Sequence, residues 1–533
     1  MSSTLDTTIG LLNYIEGAMV KTKFRGEIQE FLPRPAFDLV TREDTIRNIV
    51  AKEGWLKEQE KNNFVQEIIR DGRKLFVTCI YGELEMATLR NLLIHGLRDS
   101  EFPYTMETCP ALDNIRNFRK KKFIENQRYF GAAFFSLNSE QSLDNNMPKP
   151  IDYDENEDAL LGKGAFGEVF KIGIHPDQRS FSSGADKNDQ FAMKVTPLKG
   201  TREVKFHREM EGISHQNLLK CLASFTFSSK YHMIYEKADC NLEEFMQKHR
   251  RPTLLSDLSS EDLAQQFFGL ADALCFIHNQ GGSDLEQDNK YLGVKPKSAQ
   301  RTGYIHDIKP ENLLLFIYKR PSGRSYWFRL SDFSCAKVVD YLNTVSGKNR
   351  LSYRTTSAAG TPVYRAPEAI KDKLTSRPYD LWSLGCVYLE LLVWFLDGYD
   401  ALIRFREDRY CPVSPNSFED EGFYYAPKEN KDFRLRKAVV KKIDDVLRRC
   451  TGTLKEVAKV IPDLLKIDPK QRPTAEKLVK ILKHIDNGAK PHVDVRQSGQ
   501  TALSTTTDQS VAVDSDSDSS FGEFFKVQHP TEE

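Results

Sequence analysis

Five short motifs, in a set order, carry the residues whose types and spacing could do chemistry. A glycine-rich stretch, Gly162-Lys163-Gly164-Ala165-Phe166-Gly167-Glu168-Val169, comes first, and Phe191-Ala192-Met193-Lys194 follows. Then come His306-Asp307-Ile308-Lys309-Pro310-Glu311-Asn312, Asp332-Phe333-Ser334 and Ala366-Pro367-Glu368. Glycines let backbone N–H groups approach phosphate oxygens with no Cβ in the way. A carboxylate such as Asp307 can accept a hydroxyl proton, and Asn312 and Asp332 offer the hard oxygen ligands that magnesium prefers. Any one motif is weak evidence. In this order they supply each part needed to hold a nucleotide phosphate tail and move its last phosphoryl group.

The flanking residues say which elements must position these groups. Leu160 and Leu161 lead into the glycines, and Glu168–Ile174 alternates like a strand. That predicts a hairpin folded over a ligand, and it excludes a dinucleotide-binding unit, which would open a helix straight after the glycines. Lys194 lies between Met193 and Val195 in a short apolar strand, where a lysine is either snorkelling or held for a phosphate. The polar stretch Ile174–Gln190 between them reads as a hairpin insertion, and Asn279–Gly303 as a surface excursion. Asp332 follows the strand-like Trp327-Phe328-Arg329-Leu330.

On these motifs the chain resembles the eukaryotic protein kinases, of serine/threonine type, from about Tyr153 to Ile485. The resemblance implies an α+β, bilobal fold, with a small β-sheet N-lobe and a helical C-lobe, preceded here by a mainly helical N-terminal region. It implies ATP as cosubstrate and Mg2+ as metal, with ATP contacts from Leu161, Gly162, Lys163, Gly164, Ala165, Phe166, Gly167, Glu168 and Val169. Lys194 would bind the α- and β-phosphates and pair with a glutamate on the next helix. Glu209 is taken as that partner, with Glu203 as a rival, because Glu209 stands closer to His215 than the family pattern has it. Tyr235, Glu236, Lys237 and Ala238 resemble the hinge, where Glu236 and Ala238 would read the adenine edge through the backbone and Tyr235 would wall the pocket. Asp307 would act as catalytic base, Lys309 would balance γ-phosphate charge, and Asn312 and Asp332 would hold the metal. Phe333 would pack under the helix bearing the glutamate. Thr361-Pro362-Val363-Tyr364-Arg365 resembles the peptide-binding platform, and Arg472 would pair with Glu368.

Two departures stand out. Ile305-His306-Asp307 lacks the arginine that in the family clamps an activation-loop phosphate, so a phosphate on Thr355, Thr356 or Ser357 is expected to matter little. A protonated His306 would attract such a phosphate only weakly. Ser334 stands where the family has glycine, which restricts the backbone flip of the preceding aspartate. These departures keep a second reading open, a nucleotide-binding scaffold acting through the N-terminal region. A small-molecule kinase is a third reading, and the peptide platform argues against it.

The 533 residues are too many for one ordinary domain. The expected division is a helical region over 1–137, a linker over 138–152, a kinase domain over 153–486 and a disordered Ser/Asp-rich tail over 487–533. In the N-terminal region, Glu43–Glu58 and Phe64–Leu75 carry helical periodicity. Its expected role is interaction or regulation, with an unidentified partner, and the helical region and motif style together resemble, in style only, kinases of filamentous fungi. Lysine plus arginine equals aspartate plus glutamate at 76 each, so no bulk attraction to nucleic acid or membrane is expected. Nine scattered cysteines without a Cys-x-x-Cys pair fit reduced thiols, and the opening residues lack a secretory pattern, so the expected location is cytoplasmic or nuclear. The longest apolar run, Leu384–Leu396, reads as a buried core helix.

Overall fold

The computed structural model describes residues 5–106, 117–164, 166–182, 190–198, 202–210, 214–252, 255, 257–279, 301–320, 323–340, 361–371, 376–410, 422–425 and 433–485. Ala165, nearly all of the Asn279–Gly303 excursion, the sites Thr355, Thr356 and Ser357, and the tail from 487 lie outside these residues.

The N-terminal region opens with α1 (Thr8–Ala18), capped by the Thr7 hydroxyl, which accepts from Gly10 N at 3.0 Å. A hairpin of β1 (Val20–Phe24) and β2 (Glu27–Phe31) follows, then helices α2 (Arg34–Val40), α3 (Glu43–Ala51), α4 (Glu58–Asp71), α5 (Arg73–Tyr81), α6 (Met86–Ile94) and α7 (Asn117–Asn126). The two helices expected from periodicity are cut differently. The first ends at Ala51, and the second spans α4 and α5 with a break at Gly72. A Cβ at Gly72 would come within 3.0 Å of Leu93 Cδ2, so the break also lets α6 pack close. Leu75 to Ile80 are buried without interruption, which places α5 at the centre of a core with Leu11, Val40, Ile46, Phe64 and Leu89.

The stretch expected to be a linker is built into the sheet instead. β3 (Ser139–Ser142) and β4 (Ile151–Asp152) join β5 (Leu160–Gly164), β6 (Gly167–Ile174), β7 (Gln190–Pro197), β8 (Cys221–Phe227) and β9 (Lys230–Glu236) in one seven-stranded sheet. Its order is β3-β8-β9-β7-β6-β4, with β5 pairing off β6. β3 runs parallel to β8, Ser139 opposite Ala223. The β1–β2 hairpin is tied to the same edge. Tyr153 N donates to Lys23 O at 2.8 Å, Arg25 N to Tyr153 O at 2.7 Å, and the Thr22 hydroxyl to Lys149 O at 3.0 Å. Phe24 enters the sheet's core beside Phe170, Phe191 and Phe225.

Helix α8 (Arg202–Glu209) follows β7 in the chain. The C-lobe then runs through β10 (Cys240–Asn241), α9 (Leu242–Lys248), α10 (Ser260–His278), β11 (Arg301–Tyr304), the long hairpin β12 (Leu313–Arg320) and β13 (Gly323–Leu330), β14 (Lys337–Asp340), α11 (Pro367–Lys371), α12 (Arg377–Asp397), α13 (Tyr399–Arg409), α14 (Lys437–Arg449), α15 (Gly452–Leu464) and α16 (Ala475–Leu482). α12 is mostly apolar and buried from Tyr379 to Trp394, as a central core helix must be, with Asp380, Ser383 and Glu390 as buried polar groups. Among the described residues it is the one helix long and apolar enough to cross a membrane, and 89% of that window is buried inside the protein.

Candidate active site

The glycine-rich stretch forms a hairpin, with β5 antiparallel to β6 and Gly164 opposite Gly167. Gly167 has φ +148°, and a Cβ there would lie 2.3 Å from Val195 O, so only glycine lets β6 lie against β7. Gly162 and Gly164 have open space where a Cβ would be, as a turn meeting a ligand requires. Lys163 Nζ pairs with Glu168 across the hairpin at 2.9 Å. Leu161 and Phe166 are exposed, and Val169 lies opposite Lys194 in the β6–β7 ladder.

Lys194 extends from β7 into a buried charged cluster. Its Nζ donates to Glu203 Oε2 at 2.5 Å, to Asp332 Oδ1 at 2.8 Å and to the Ser334 hydroxyl at 2.9 Å. The helix glutamate that meets Lys194 is therefore Glu203, not Glu209. Both lie on α8, but six residues turn a helix through a net angle of about 120°, so one helix cannot present both to the same lysine. Glu203 is 5% exposed. Burial pushes its carboxyl up, with Lys194 pulling the other way. Burial also opposes charge on Lys194 and Asp332, and there their opposite partners win. The ammonium is held above its ordinary range and the Asp332 carboxyl below.

Aromatic groups pack beside this cluster. The Tyr235 hydroxyl donates to Glu203 Oε1 at 3.2 Å and lies 2.9 Å from His207 Nε2. Phe333 stacks on Phe206 of α8 with centroids 4.4 Å apart and planes 19° apart. Burial, helped by the charge on Lys194, holds the His207 imidazole well below its ordinary range, so it stays neutral.

Across the cleft, Asp307 is held from both sides. Its Oδ1 accepts from Thr361 N at 2.7 Å and from the Thr361 hydroxyl at 2.8 Å. Its Oδ2 accepts from Asn312 Nδ2 at 2.9 Å and lies 3.4 Å from Lys309 Nζ. Lys309 Nζ donates to the Thr361 hydroxyl at 2.8 Å. With Nδ2 turned to Asp307, the Asn312 amide oxygen points away from it. Ser331 N and its hydroxyl both bond Asn312 O, at 3.0 and 2.8 Å, which ties the loop to the strand ending beside Asp332. Asp332 Oδ1 takes the Lys194 and Ser334 donors, and among the described residues no donor is bonded to Oδ2. One amide oxygen and one carboxylate oxygen left in this way fit a magnesium ion that draws its other ligands from phosphate and water. Among the described residues no group of three or more His, Cys, Asp or Glu side chains is placed to hold a metal ion.

At the hinge, the Glu236 carboxylate is occupied by Arg329 Nη1 at 2.7 Å, which leaves only its backbone for a ligand. Ala238 is half-buried against the core of the C-lobe.

A model of the protein kinase domain matches residues 156–482. The chain belongs to the protein kinase family. It is 27% identical over 277 residues to serine/threonine-protein kinase TIO of Arabidopsis thaliana, covering 50% of this chain and 16% of that protein. It is 26% identical over 244 residues to cyclin-dependent kinase 4 of Ovis aries, covering 44% and 65% respectively. Dual specificity tyrosine-phosphorylation-regulated kinase 3 of Macaca fascicularis is 25% identical over 233 residues, covering 44% and 34%. The chain thus spans less than two thirds of the length of these relatives.

Within the kinase domain, Arg472 makes two parallel bonds to Glu368, at 2.7 and 2.8 Å, in a fully buried pocket. Asp380 accepts from Ile305 N at 3.0 Å and His306 N at 2.8 Å, which fixes the catalytic loop on α12. His306 is 1% exposed and stacks on Tyr304 at 4.7 Å. That enclosure keeps the ring from solvent, while the loop sites Thr355, Thr356 and Ser357 lie outside the described residues. The sequence reading missed four contributors to the site: the Ser334 hydroxyl, the Tyr235 hydroxyl, His207 and Arg329. A signal existed for His207, which lies four residues after Glu203 and hence on the same helix face.

Proposed function

We propose that this chain is a serine/threonine protein kinase that transfers the γ-phosphoryl group of ATP to serine or threonine hydroxyls of protein substrates. Asp307 accepts the hydroxyl proton and orients that oxygen for in-line attack. Lys309, Thr361 and Asn312 hold the carboxylate in one rotamer, so no reorganisation is needed at the moment of transfer. The single observation that carries this reading is that both Asp307 oxygens are held by donors from the catalytic loop and the Thr361 segment. On the other side of the cleft, Lys194 meets the α- and β-phosphates, and the N–H groups of Gly162 to Gly167 approach the phosphate tail. The backbone of Glu236 and Ala238 reads adenine. Asn312 and Asp332 hold magnesium, which neutralises charge developing on the phosphates when bound.

The alternative of a nucleotide-binding scaffold rests on His306 and Ser334. Against it stand the joined positions of Lys194, Glu203 and Asp332 and the held carboxylate of Asp307. Substrate class is tested by offering serine, threonine and tyrosine peptides beside small hydroxylated metabolites with labelled ATP. Label on serine or threonine peptides supports the reading. Label on metabolites alone overturns it.

A further inference from the structure

Ser334 occupies a place where a side chain has consequences. It is 8% exposed and stands inside the charged cluster. Its hydroxyl accepts from Lys194 Nζ at 2.9 Å, lies 3.1 Å from Glu203 Oε2, and contacts Asp332 Oδ1. Its backbone N–H also faces Asp332 Oδ1 at 3.4 Å. A hydroxyl has one proton and two lone pairs. Lys194 can only donate, so the serine proton goes to one of the two carboxylates. Among the described residues Ser334 is thus the one neutral group that bonds all three charged ones.

We infer that Ser334 is a positioning residue for phosphoryl transfer: its hydroxyl joins Lys194, Glu203 and Asp332 into one unit and keeps Asp332 turned inward. The inference rests on the proposed kinase reading and adds how the site is held. Asp332 has backbone angles φ +54° and ψ 73°, in the left-handed region that costs a non-glycine residue energy. The bonds of Ser334 to its carboxylate offset that cost. The hydroxyl has a second use once phosphates draw Lys194 and magnesium draws Asp332. It can rotate its proton to Glu203 Oε2, so that buried carboxylate keeps a donor. Glycine at this place supplies neither bond. A site held from within in this way needs little help from a loop phosphate, consistent with the missing arginine before Asp307.

The test compares full-length wild type, Ser334→Ala and Ser334→Gly in titrations of magnesium, ATP and peptide. Both variants lose the hydroxyl. Both are expected to need about tenfold more magnesium for half-maximal rate and to show a KM for ATP raised about fivefold, with the peptide KM unchanged. A purely structural role would not separate the ATP and peptide constants. Without turnover, the rise in Tm brought by Mg-ATP should be smaller in both variants. Wild-type behaviour in both overturns the inference. Loss in Ser334→Ala with recovery in Ser334→Gly also overturns it, because backbone freedom would then be the cause. A wild type that transfers no phosphoryl group but is stabilised by Mg-ATP removes the kinase reading and leaves the Tm comparison to decide on Ser334. A wild type that does neither removes both.

Discussion

Glu140 and Arg208 tie the chain ahead of the kinase domain to the helix that carries Glu203. Arg208 Nε donates to Glu140 Oε2 at 2.8 Å, and Nη2 donates to Oε1. Glu140 lies on β3, the strand added parallel to β8, and Arg208 lies on α8 five residues after Glu203. The hydrogen bond to Glu140 holds the Arg208 guanidinium above its ordinary range. Both side chains are partly in water, at 59% and 39% exposure, so the pair is worth no more than about 1 kcal/mol. Its value is geometric, because it ties α8 to the strand on the sheet's edge.

A charge swap measures that link. Glu140→Arg or Arg208→Glu alone should lower kcat about threefold to fivefold, the effect of about 1 kcal/mol in α8 placement. The double swap should return to within about twofold of wild type. Additive losses in the double variant would show that the pair does not act as a pair.

The choice between Glu203 and Glu209 gives a second measurement. Removing the charge of Glu203 leaves the buried Lys194 with Asp332 as its remaining carboxylate, at a cost of about 3 kcal/mol or about 100-fold in kcat/KM. Glu203→Gln should show that loss. Glu209→Gln should stay within about twofold of wild type. Equal losses, or a larger one at Glu209, would contradict the pairing seen here.

Acid stability should respond to His232. Its ring is 2% exposed, stacks on Phe225 at 4.5 Å with planes 5° apart, and has a buried Nδ1 without a hydrogen-bond partner among the described residues. Burial lowers its pKa to about 4. The folded state therefore binds fewer protons than the unfolded state between pH 4 and the unfolded value of about 6.5. Stability from this group is present above about pH 6.5 and is lost as pH falls toward 4, amounting to about 2 kcal/mol at about pH 5. Denaturant unfolding at two pH values in wild type and His232→Leu reads this out. The variant should show a pH dependence smaller by that amount, and an unchanged dependence would place the titrating group elsewhere.

The site was legible in the sequence wherever the chemistry dictates spacing. Asp307 and Asn312 share one loop, and Asp332 follows a strand, so residue type and distance along the chain suffice. Glu203 was harder. Choosing between two carboxylates on one helix needs its rotational phase, which depends on where α8 starts and how it packs on Phe333. The Ser334 bonds were invisible for a related reason: they join residues from three elements, and no local pattern marks them. The segment 138–152 looked like a linker because Ser139-Glu140-Gln141-Ser142 has neither strand propensity nor an apolar face. Its strand exists because the edge of β8 pairs with it, which is a tertiary cause.

The deciding measurement is phosphoryl transfer from labelled ATP with magnesium, comparing wild type with Asp307→Asn on a basic protein substrate and on the chain itself. Losing the proton acceptor while keeping the shape should cost two to four orders of magnitude in rate, with the Tm rise from Mg-ATP retained. Label on serine or threonine in the wild type, lost in the variant, is the predicted result. Equal labelling in both, or none in a folded wild type that Mg-ATP still stabilises, would contradict the assignment of Asp307 as the catalytic base.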